Sequence, residues 1–234
     1  MSLFVEKLLQ PLYRRYNKWG TQEIYLPSLF SGTFDLEDKF PEIKAEYDEL
    51  IKRYDDFAPF QDISPHQIEI SNDDKWRLFF LKGANIWFPK NCEQMPNTAK
   101  IISDHPNIIS AYVSVLGPRK ALNPHAGPYS GVLRLHLALD IPNEKKCYLV
   151  VNGKKLHWEE GKCVLFDDTY EHTAVNDTDE IRSVLFIDVV KPLPFPINML
   201  NWAIIRMARL FSYVNIPLKR HKEWQKIFYG DRDG

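Results

Sequence analysis

Residues 132–139 read VLRLHLAL, and this stretch decides the fold prediction. Every second residue from 133 to 139 is leucine, and Arg134 and His136 alternate with the leucines, which is the two-residue period of a β-strand. The leucine face needs an apolar partner. The face that carries Arg134 and His136 either meets water or lines a polar cavity, and the sequence leaves both alternatives open.

Similar short runs of β-branched and aromatic residues surround this strand, each bounded by Gly, Pro, Asn or Asp. They lie at residues 76–81, 109–116, 147–151, 162–166 and 182–190. Asn152-Gly153, which separates CYLVV from KKLHW, is a strong signal for a tight β-hairpin. Because most runs follow one another without a helical pattern between them, the sequence predicts a mainly β protein with flanking helices, built as an antiparallel sandwich or barrel.

The chain divides into three predicted zones. Residues 1–60 form an N-terminal helical extension, which includes a helix over residues 42–57 (EIKAEYDELIKRYDDF). Residues 61–195 form the β domain, and residues 196–234 form a C-terminal helical extension. A length of 234 residues fits one elaborated domain better than two.

Composition excludes several classes of protein. The net charge of −1 gives no reason to expect a nucleic-acid partner, and a hydrophobic content of 44% indicates a folded chain. Three cysteines without a CxxC pair fit a reducing compartment. Charged residues interrupt the N-terminus, and the apolar run over residues 192–205 is too short to span a bilayer. We therefore expect a soluble, cytoplasmic protein, whose oligomeric state the sequence does not reveal.

Three residues suggest a chemistry. His172 follows His125 after 47 residues, and Arg182 lies ten residues further on. Two neutral imidazoles can hold a divalent first-row metal, and a guanidinium can bind a carboxylate of a 2-oxo acid. Arg182 begins a strand that is apolar on both faces, where a buried charge needs an anionic partner that the neighbouring sequence lacks. This order favours a non-haem iron oxygenase, with ordinary hydrogen-bonded histidines as the alternative.

The motifs around these residues resemble a known family. NPHAGPYSGVLRLHLAL (123–139), WEEGKCVLFDDTYEH (158–172) and RSVLFIDVVKP (182–192) are similar to the aspartyl/asparaginyl β-hydroxylase family of iron(II)- and 2-oxoglutarate-dependent dioxygenases. The resemblance covers about residues 75–195. It implies a double-stranded β-helix, the jelly-roll or cupin-like sandwich, with Fe(II), 2-oxoglutarate as cosubstrate and O2.

The resemblance also assigns roles to individual residues. It implies that His125 and His172 are the metal ligands, and that Arg182 pairs with the distal carboxylate of 2-oxoglutarate with help from Ser114. Arg134 and His136 would form a basic pair beside the metal. This pair contacts either the cosubstrate or a substrate carboxylate, and Arg134 is counted among the catalytic residues.

Two further positions bear on the metal. Most relatives in the wider superfamily carry an acidic ligand where this chain has Gly127, whereas the β-hydroxylase family manages with two histidines. The missing ligand charge predicts weaker metal retention. Asp167 and Asp168 are either acceptors that orient His172 or an ordinary turn-forming pair at the end of a strand.

The sequence leaves the substrate open between a small molecule, a peptide and a lipid. The resemblance implies hydroxylation of an unactivated C–H bond, β to a carboxylate in an aspartyl- or asparaginyl-type substrate. The alternative is hydroxylation of a lipid acyl chain, because lipid A 2-hydroxylases resemble the same family. A jelly-roll that binds a ligand without turnover is the third interpretation.

Residues 197–222 bear on the lipid alternative. This segment joins a broad apolar face to a basic flank, a combination that can lie in a membrane interface and would give a peripheral contact at the inner membrane face. Its predicted polar stripe comprises Asn198, Asn201, Arg209 and Ser212. The other interpretation is a helix packed on the sandwich or on a second subunit.

Overall fold

The structure is a computed structural model that describes residues 3–208 and 210–230, with side chains from residue 9 onward. The strands are β1 (Ile24–Tyr25), β2 (Ala58–Pro59), β3 (Trp76–Gly83), β4 (Ile86–Trp87), β5 (Ile108–Leu116), β6 (Lys120–Ala121), β7 (Val132–Asp140), β8 (Cys147–Val151), β9 (Lys154–His157), β10 (Cys163–Phe166), β11 (His172–Asn176) and β12 (Arg182–Val190). The helices are α1 (Leu3–Arg15), α2 (Gly32–Asp38), α3 (Phe40–Leu50), α4 (Phe60–Ile63), α5 (Pro89–Cys92), α6 (Pro96–Asp104), α7 (Ile197–Ala208) and α8 (Ser212–Phe228), with 3-10 turns at Pro27–Leu29, Ile51–Asp56 and Pro65–Gln67.

Strands β5 to β12 form two antiparallel sheets that enclose the interior. The larger sheet contains the neighbours β5-β12-β7-β10, and the smaller sheet has the order β6-β11-β8-β9. Each sheet therefore alternates strands from the two ends of the series, which is the winding of a jelly-roll. The predicted mainly β, double-stranded β-helix fold is confirmed, and β1, β2, β3 and β4 extend the larger sheet.

The alternation in β7 separates two apolar cores. Leu135 and Leu137 are wholly buried on the outer face of the larger sheet, in one cluster with Leu36 of α2, Ile43 of α3 and Ile102 of α6. The helices therefore cover the leucine face. Because successive side chains of a strand alternate, the polar face of β7 turns into the space between the two sheets.

Two local predictions are also borne out by the structure. Asn152 and Gly153 have φ values of 47° and 76° and join β8 to β9 in a two-residue hairpin, as the Asn-Gly pair predicts. The helix predicted over residues 42–57 is present as α3, and it continues as the 3-10 turn Ile51–Asp56, with a non-helical Arg53.

The N-terminal residues are part of the same packing unit. Strand β1 pairs with β10 at one edge of the larger sheet, and β2 pairs with β3 at the other. Tyr47 of α3 donates its hydroxyl hydrogen to Ser183 of β12 at 2.7 Å. The division into three zones stays a prediction. Within the described residues, no helix has the length and apolar character needed to cross a membrane.

Replacing Leu135 with Ala should lower the free energy of unfolding by about 2–5 kcal/mol, because it opens a cavity between the sheet and its helices. Urea denaturation monitored by circular dichroism measures the change. The matched control is Leu26→Ala, at a side chain that is 71% exposed, and it should shift stability by less than about 0.5 kcal/mol. Equal effects of the two substitutions would contradict this packing.

Candidate active site

His125 and His172 lie opposite each other across an antiparallel bridge at the start of β11. The backbone N–H of His125 donates to the carbonyl of His172 at 3.0 Å, and the N–H of His172 donates to the carbonyl of His125 at 2.8 Å. Their ring centroids are 4.2 Å apart, with an angle of 52° between the planes. The bridge therefore holds the two imidazoles side by side.

The hydrogen bonds of the two rings settle which nitrogen is free. Nδ1 of His125 lies 2.8 Å from the carbonyl oxygen of Asn123, and Nδ1 of His172 lies 3.0 Å from that of Tyr170. A carbonyl only accepts, so each Nδ1 carries the hydrogen and each Nε2 keeps its lone pair. Burial lowers the pKa of both rings, and for His172, with the help of His125, to about 3. Two neutral imidazoles with free Nε2 atoms fit a divalent metal ion.

Arg182 is a buried cation that has no counter-ion in the part of the chain that the structure describes. Its Nε and Nη1 have no hydrogen-bond partner among the described residues, although only 2% of the residue is exposed. Its Cζ lies 4.3 Å from the ring centroid of Trp158, a cation–π contact. Burial lowers the pKa of Arg182 to about 10, so the guanidinium is still charged at neutral pH. A buried charge in this state calls for an anionic ligand.

A row of aromatic contacts connects the histidine pair to Arg182 through the interior. His172 packs edge-on against Phe166 at 5.6 Å between centroids, Phe166 packs against His136 at 5.2 Å, and His136 stacks on Trp158 at 6.0 Å. Trp158 then contacts Arg182, as described above. Neither ring nitrogen of His136 has a partner in the described part of the chain, and burial, followed by the nearby guanidinium of Arg182, holds its pKa well below the ordinary value.

Ser114 faces the same space from β5. The register pairs Ser114 with Val184 and pairs Leu116 with Arg182, so Ser114 lies diagonally beside the guanidinium across two adjacent strands. Its Oγ accepts a hydrogen bond from Trp76 Nε1 at 3.0 Å. Among the described residues the Ser114 hydroxyl donates to no acceptor, so its hydrogen can serve a ligand.

Arg134, the other half of the predicted basic pair, is already neutralised. Its Nη2 lies 3.0 Å from Asp168 Oδ2 and 3.0 Å from Asp188 Oδ1, and its Cζ lies 4.0 Å from the ring centroid of Phe186. Burial alone would lower the pKa of Arg134, but the two carboxylates raise it above the ordinary value. Burial also raises the pKa of Asp168 to about 6, against the effect of Arg134.

The hypothesis that Asp167 or Asp168 orients His172 is wrong. Neither carboxylate bonds the imidazole, because its Nδ1 faces a backbone carbonyl and each acid has another partner. Asp167 forms a buried ion pair with Lys191 at 2.8 Å and accepts the backbone N–H of Thr169 at 3.1 Å. The turn-forming alternative therefore describes Asp167, while Asp168 belongs to the ion-pair cluster around the neighbouring arginine.

The absence of a side chain at Gly127 has a steric reason. Its N–H donates to the carbonyl of Asp168 at 2.7 Å, and a Cβ at this position would lie 2.1 Å from Asp168 Oδ2. A carboxylate ligand at position 127 would collide with this acid. Among the described residues, no group of three or more His, Cys, Asp and Glu side chains is arranged to hold a metal ion. The protein therefore offers a metal two imidazoles here.

The three histidines, Ser114, Arg134, Asp168 and Arg182 line one cavity of about 380 Å3. Much of its remaining wall is apolar and comes from both sheets and from α7 and α8, including Phe80, Ile109, Val132, Ile204, Ala208, Val214 and Leu218. The sequence did not assign the helical residues to the site. The feature of the sequence that could have indicated them is the apolar content of residues 197–214. Apolar content alone does not show which face of a helix turns inward.

The fold and the interior together define a jelly-roll with a two-histidine candidate metal site and a buried arginine whose Nε and Nη1 have no partner among the described residues. A model of the aspartyl/asparaginyl β-hydroxylase family matches residues 37–192, and the chain belongs to this family. The predicted family is thereby confirmed, and with it the class of hydroxylases.

Curated relatives differ in how much of their length this chain spans. The chain is 39% identical over 225 residues to an ornithine lipid ester-linked acyl 2-hydroxylase of Rhizobium tropici, covering 96% of this chain and 80% of that protein. It is 31% identical over 166 residues to aspartate β-hydroxylase domain-containing protein 2 of Homo sapiens, covering 67% of this chain and 44% of that protein. With the aspartyl/asparaginyl β-hydroxylase of Homo sapiens it shares 32% identity over 133 residues, 55% of this chain and 17% of that protein.

Similar solved structures include cupin domains. A cupin domain of an XRE family transcriptional regulator from Enterobacter cloacae has a TM-score of 0.35 and 11% identity, covering 50% of this chain and 99% of that one. A cupin barrel protein from Salinispora arenicola has a TM-score of 0.33 and 15% identity, covering 53% of this chain and 82% of that one.

Replacing His172 with Gln should make the metal-free protein less sensitive to acid. The imidazole has an ordinary pKa of 6.5 and a folded-state pKa of about 3, so the unfolded chain binds the proton first as the pH falls. The wild type then loses stability below about pH 6.5, by about 2 kcal/mol at pH 5 for this one group.

Urea denaturation in the presence of a chelator, at neutral pH and at about pH 5, measures this difference. The matched control is His66→Gln, at an exposed histidine, and it should leave the acid sensitivity of the wild type unchanged. An acid sensitivity that His172→Gln leaves unchanged would contradict the neutral, buried state of this ring.

Proposed function

We propose that this protein is an Fe(II)- and 2-oxoglutarate-dependent hydroxylase that acts on an unactivated C–H bond of a lipid acyl chain. The observation that carries the proposal is the unpaired guanidinium of Arg182, buried in the same cavity as two neutral imidazoles. A diacid cosubstrate supplies the anion that this cation lacks. Iron and 2-oxoglutarate, when bound, would supply the oxidising chemistry with O2.

The chain's own residues would bind and orient the reactants. His125 and His172 would hold the iron through their Nε2 atoms. Arg182 would bind the far carboxylate of 2-oxoglutarate through Nε and Nη1, and Ser114 would donate its hydroxyl hydrogen to the same group. His136 is neutral, so one ring nitrogen can donate a hydrogen bond and the other can accept one.

Arg134 would then have a positioning role. Its two carboxylate partners balance its charge, so it attracts an anionic ligand less than an unpaired arginine does. Its guanidinium also holds the side chain of Asp168, which lies against Gly127. The family resemblance placed Arg134 among the catalytic and cosubstrate-binding residues. The ion pairs with Asp168 and Asp188 favour a role in shaping the cavity.

The same charge arrangement favours a lipid over an aspartyl or asparaginyl substrate. In the described part of the cavity wall, the arginines and lysines are Arg134 and Arg182. The first is neutralised and the second is assigned to the cosubstrate, which leaves no cation for a substrate carboxylate. The apolar remainder of the wall suits a hydrocarbon chain. The lipid substrate named for the Rhizobium relative supports this choice over the aspartyl-type substrate that the resemblance first implied.

Replacing Arg182 with Ala should weaken 2-oxoglutarate binding by about 10- to 100-fold, because a charge-assisted hydrogen bond in a buried site contributes about 1.5–3 kcal/mol. Isothermal titration with Mn2+ in place of iron measures the affinity without turnover. The control is Arg206→Ala, at an exposed arginine of α7, which should bind as the wild type does. An unchanged affinity in the Arg182 variant would reduce this residue to a structural role.

A detergent-solubilised lipid with ester-linked acyl chains should give succinate, CO2 and the intact lipid with a hydroxylated acyl chain when incubated with iron, 2-oxoglutarate and O2. An aspartate-containing peptide should give no succinate and no hydroxylated product. The larger side chain in Ala208→Trp fills part of the apolar cavity. This substitution should lower lipid turnover at least tenfold while the affinity for 2-oxoglutarate stays unchanged. His125→Ala, which removes half of the protein ligands, serves as the inactive control.

Mass spectrometry of the intact lipid and of the peptide, which gains about 16 Da on hydroxylation, decides between the substrate classes. Hydroxylation of the peptide in place of the lipid would refute the lipid assignment. The complete absence of succinate with either substrate would favour a jelly-roll that binds a ligand without turnover.

A further inference from the structure

Helix α7 is apolar on two opposite faces. On the inner face, Ile205 is 3% exposed and packs with Ile109, Val132 and Val190. The outer face carries exposed apolar side chains that continue past the end of the helix, and we call them the outer stripe: Met199, Leu200, Met207 and Leu210, which are 60%, 45%, 48% and 81% exposed. A helix that is apolar all round normally has both faces covered.

A buried polar anchor fixes this orientation. Asn201 of α7 is fully buried, its Nδ2 donates to the carbonyl of Gly131 at 2.9 Å, and its Oδ1 accepts from the hydroxyl of Tyr129. A Cβ at Gly131 would lie 2.1 Å from Asn201 Oδ1, so the contact depends on the glycine. The predicted polar stripe is thus not a solvent-facing surface at Asn201, and Arg209 lies outside the described residues.

The outer stripe continues into the wall of the cavity. Phe211 and Tyr213, at the start of α8, line the cavity and are also 41% and 36% exposed. They therefore lie at its rim, with Leu210 directly before them in the chain. An apolar surface that adjoins the rim of an apolar cavity gives an acyl chain a path that avoids water.

The charge of this region differs from that of the whole chain. Residues 192–222 contain five basic residues and no Asp or Glu, whereas the chain has a net charge of −1. The basic residues are Arg206, Arg209, Lys219, Arg220 and Lys222. The exposed side chains of Arg206, Lys219 and Lys222 have the charge that suits the surface of an anionic bilayer, where each basic residue contributes about 1 kcal/mol of attraction. A symmetric contact with a second copy would instead bring like charges together.

We propose that the outer stripe inserts into an anionic lipid bilayer, so that the cavity opens toward the membrane and receives the acyl chain directly. The proposal rests on the lipid substrate proposed above. Insertion of the exposed side chains provides the apolar contribution, and the basic residues provide a salt-sensitive attraction.

Vesicle co-sedimentation of the full chain, without iron or 2-oxoglutarate, tests the docking surface apart from turnover. The vesicles contain phosphatidylglycerol and phosphatidylcholine in equal parts, or phosphatidylcholine alone. The double substitution M207S/L210S should weaken binding to the anionic vesicles at least about tenfold, because two apolar side chains no longer enter the bilayer. K219Q/K222Q should abolish much of the preference for anionic vesicles.

The matched control is Phe34→Ser, at a 61% exposed aromatic of α2 outside the stripe, and it should bind as the wild type does. Equal binding by M207S/L210S and the wild type overturns the proposal, as does binding that ignores salt and lipid charge. So does a wild-type dimer that dissociates in M207S/L210S without any vesicle binding, because a second copy then covers the stripe.

The two proposals fail in different ways. Hydroxylation of solubilised lipid without vesicle binding refutes the docking surface and leaves the proposed function intact. Vesicle binding without hydroxylation of any lipid refutes the proposed function. The outer stripe would then still be a membrane contact, but one that does not deliver an acyl chain to the cavity.

Discussion

The reciprocal backbone hydrogen bonds between His125 and His172 are the constraint on which the candidate site depends. They join a loop to the first residue of β11, and they bring together two residues that lie 47 positions apart. Each imidazole then bonds through Nδ1 to the carbonyl two residues before it, at Asn123 and Tyr170. The same local geometry is thus repeated on both sides of the bridge. The Nε2 atoms of both rings are therefore free of these backbone contacts, and both histidines line the cavity.

The buried charged side chains of the interior differ in whether the protein itself supplies a partner of opposite charge. Lys191 is paired with Asp167, and Arg134 is shared between two carboxylates, so these charges are balanced by the protein. Arg182 has no carboxylate partner among the described residues, and burying an unpaired cation is costly. Its guanidinium instead makes a cation–π contact with the face of Trp158. This difference between two arginines of the same cavity is why we assign one to architecture and the other to the cosubstrate.

The local part of the fold was predictable from sequence, and the long-range part was not. The alternation in β7 and the Asn152-Gly153 hairpin depend on neighbouring residues, and both are correct. Whether the Arg134 and His136 face of β7 meets water or lines a cavity depends on a second sheet formed by remote residues, so the sequence could not decide it. The sequence left two alternatives open for Asp167 and Asp168 for the same reason, because their ion-pair partners lie 24 and 34 residues away. The rotation of α7 is set by Asn201, whose acceptor is also remote.

The most direct measurement is a crystal structure of the protein with Mn2+ and a non-reactive diacid analogue of 2-oxoglutarate. The account predicts a metal ion bound by Nε2 of His125 and of His172, at about 2.0–2.2 Å. It also predicts that the far carboxylate of the analogue accepts hydrogen bonds from Nε and Nη1 of Arg182. A metal ion bound elsewhere, or an analogue that leaves this guanidinium unpaired, would contradict the account.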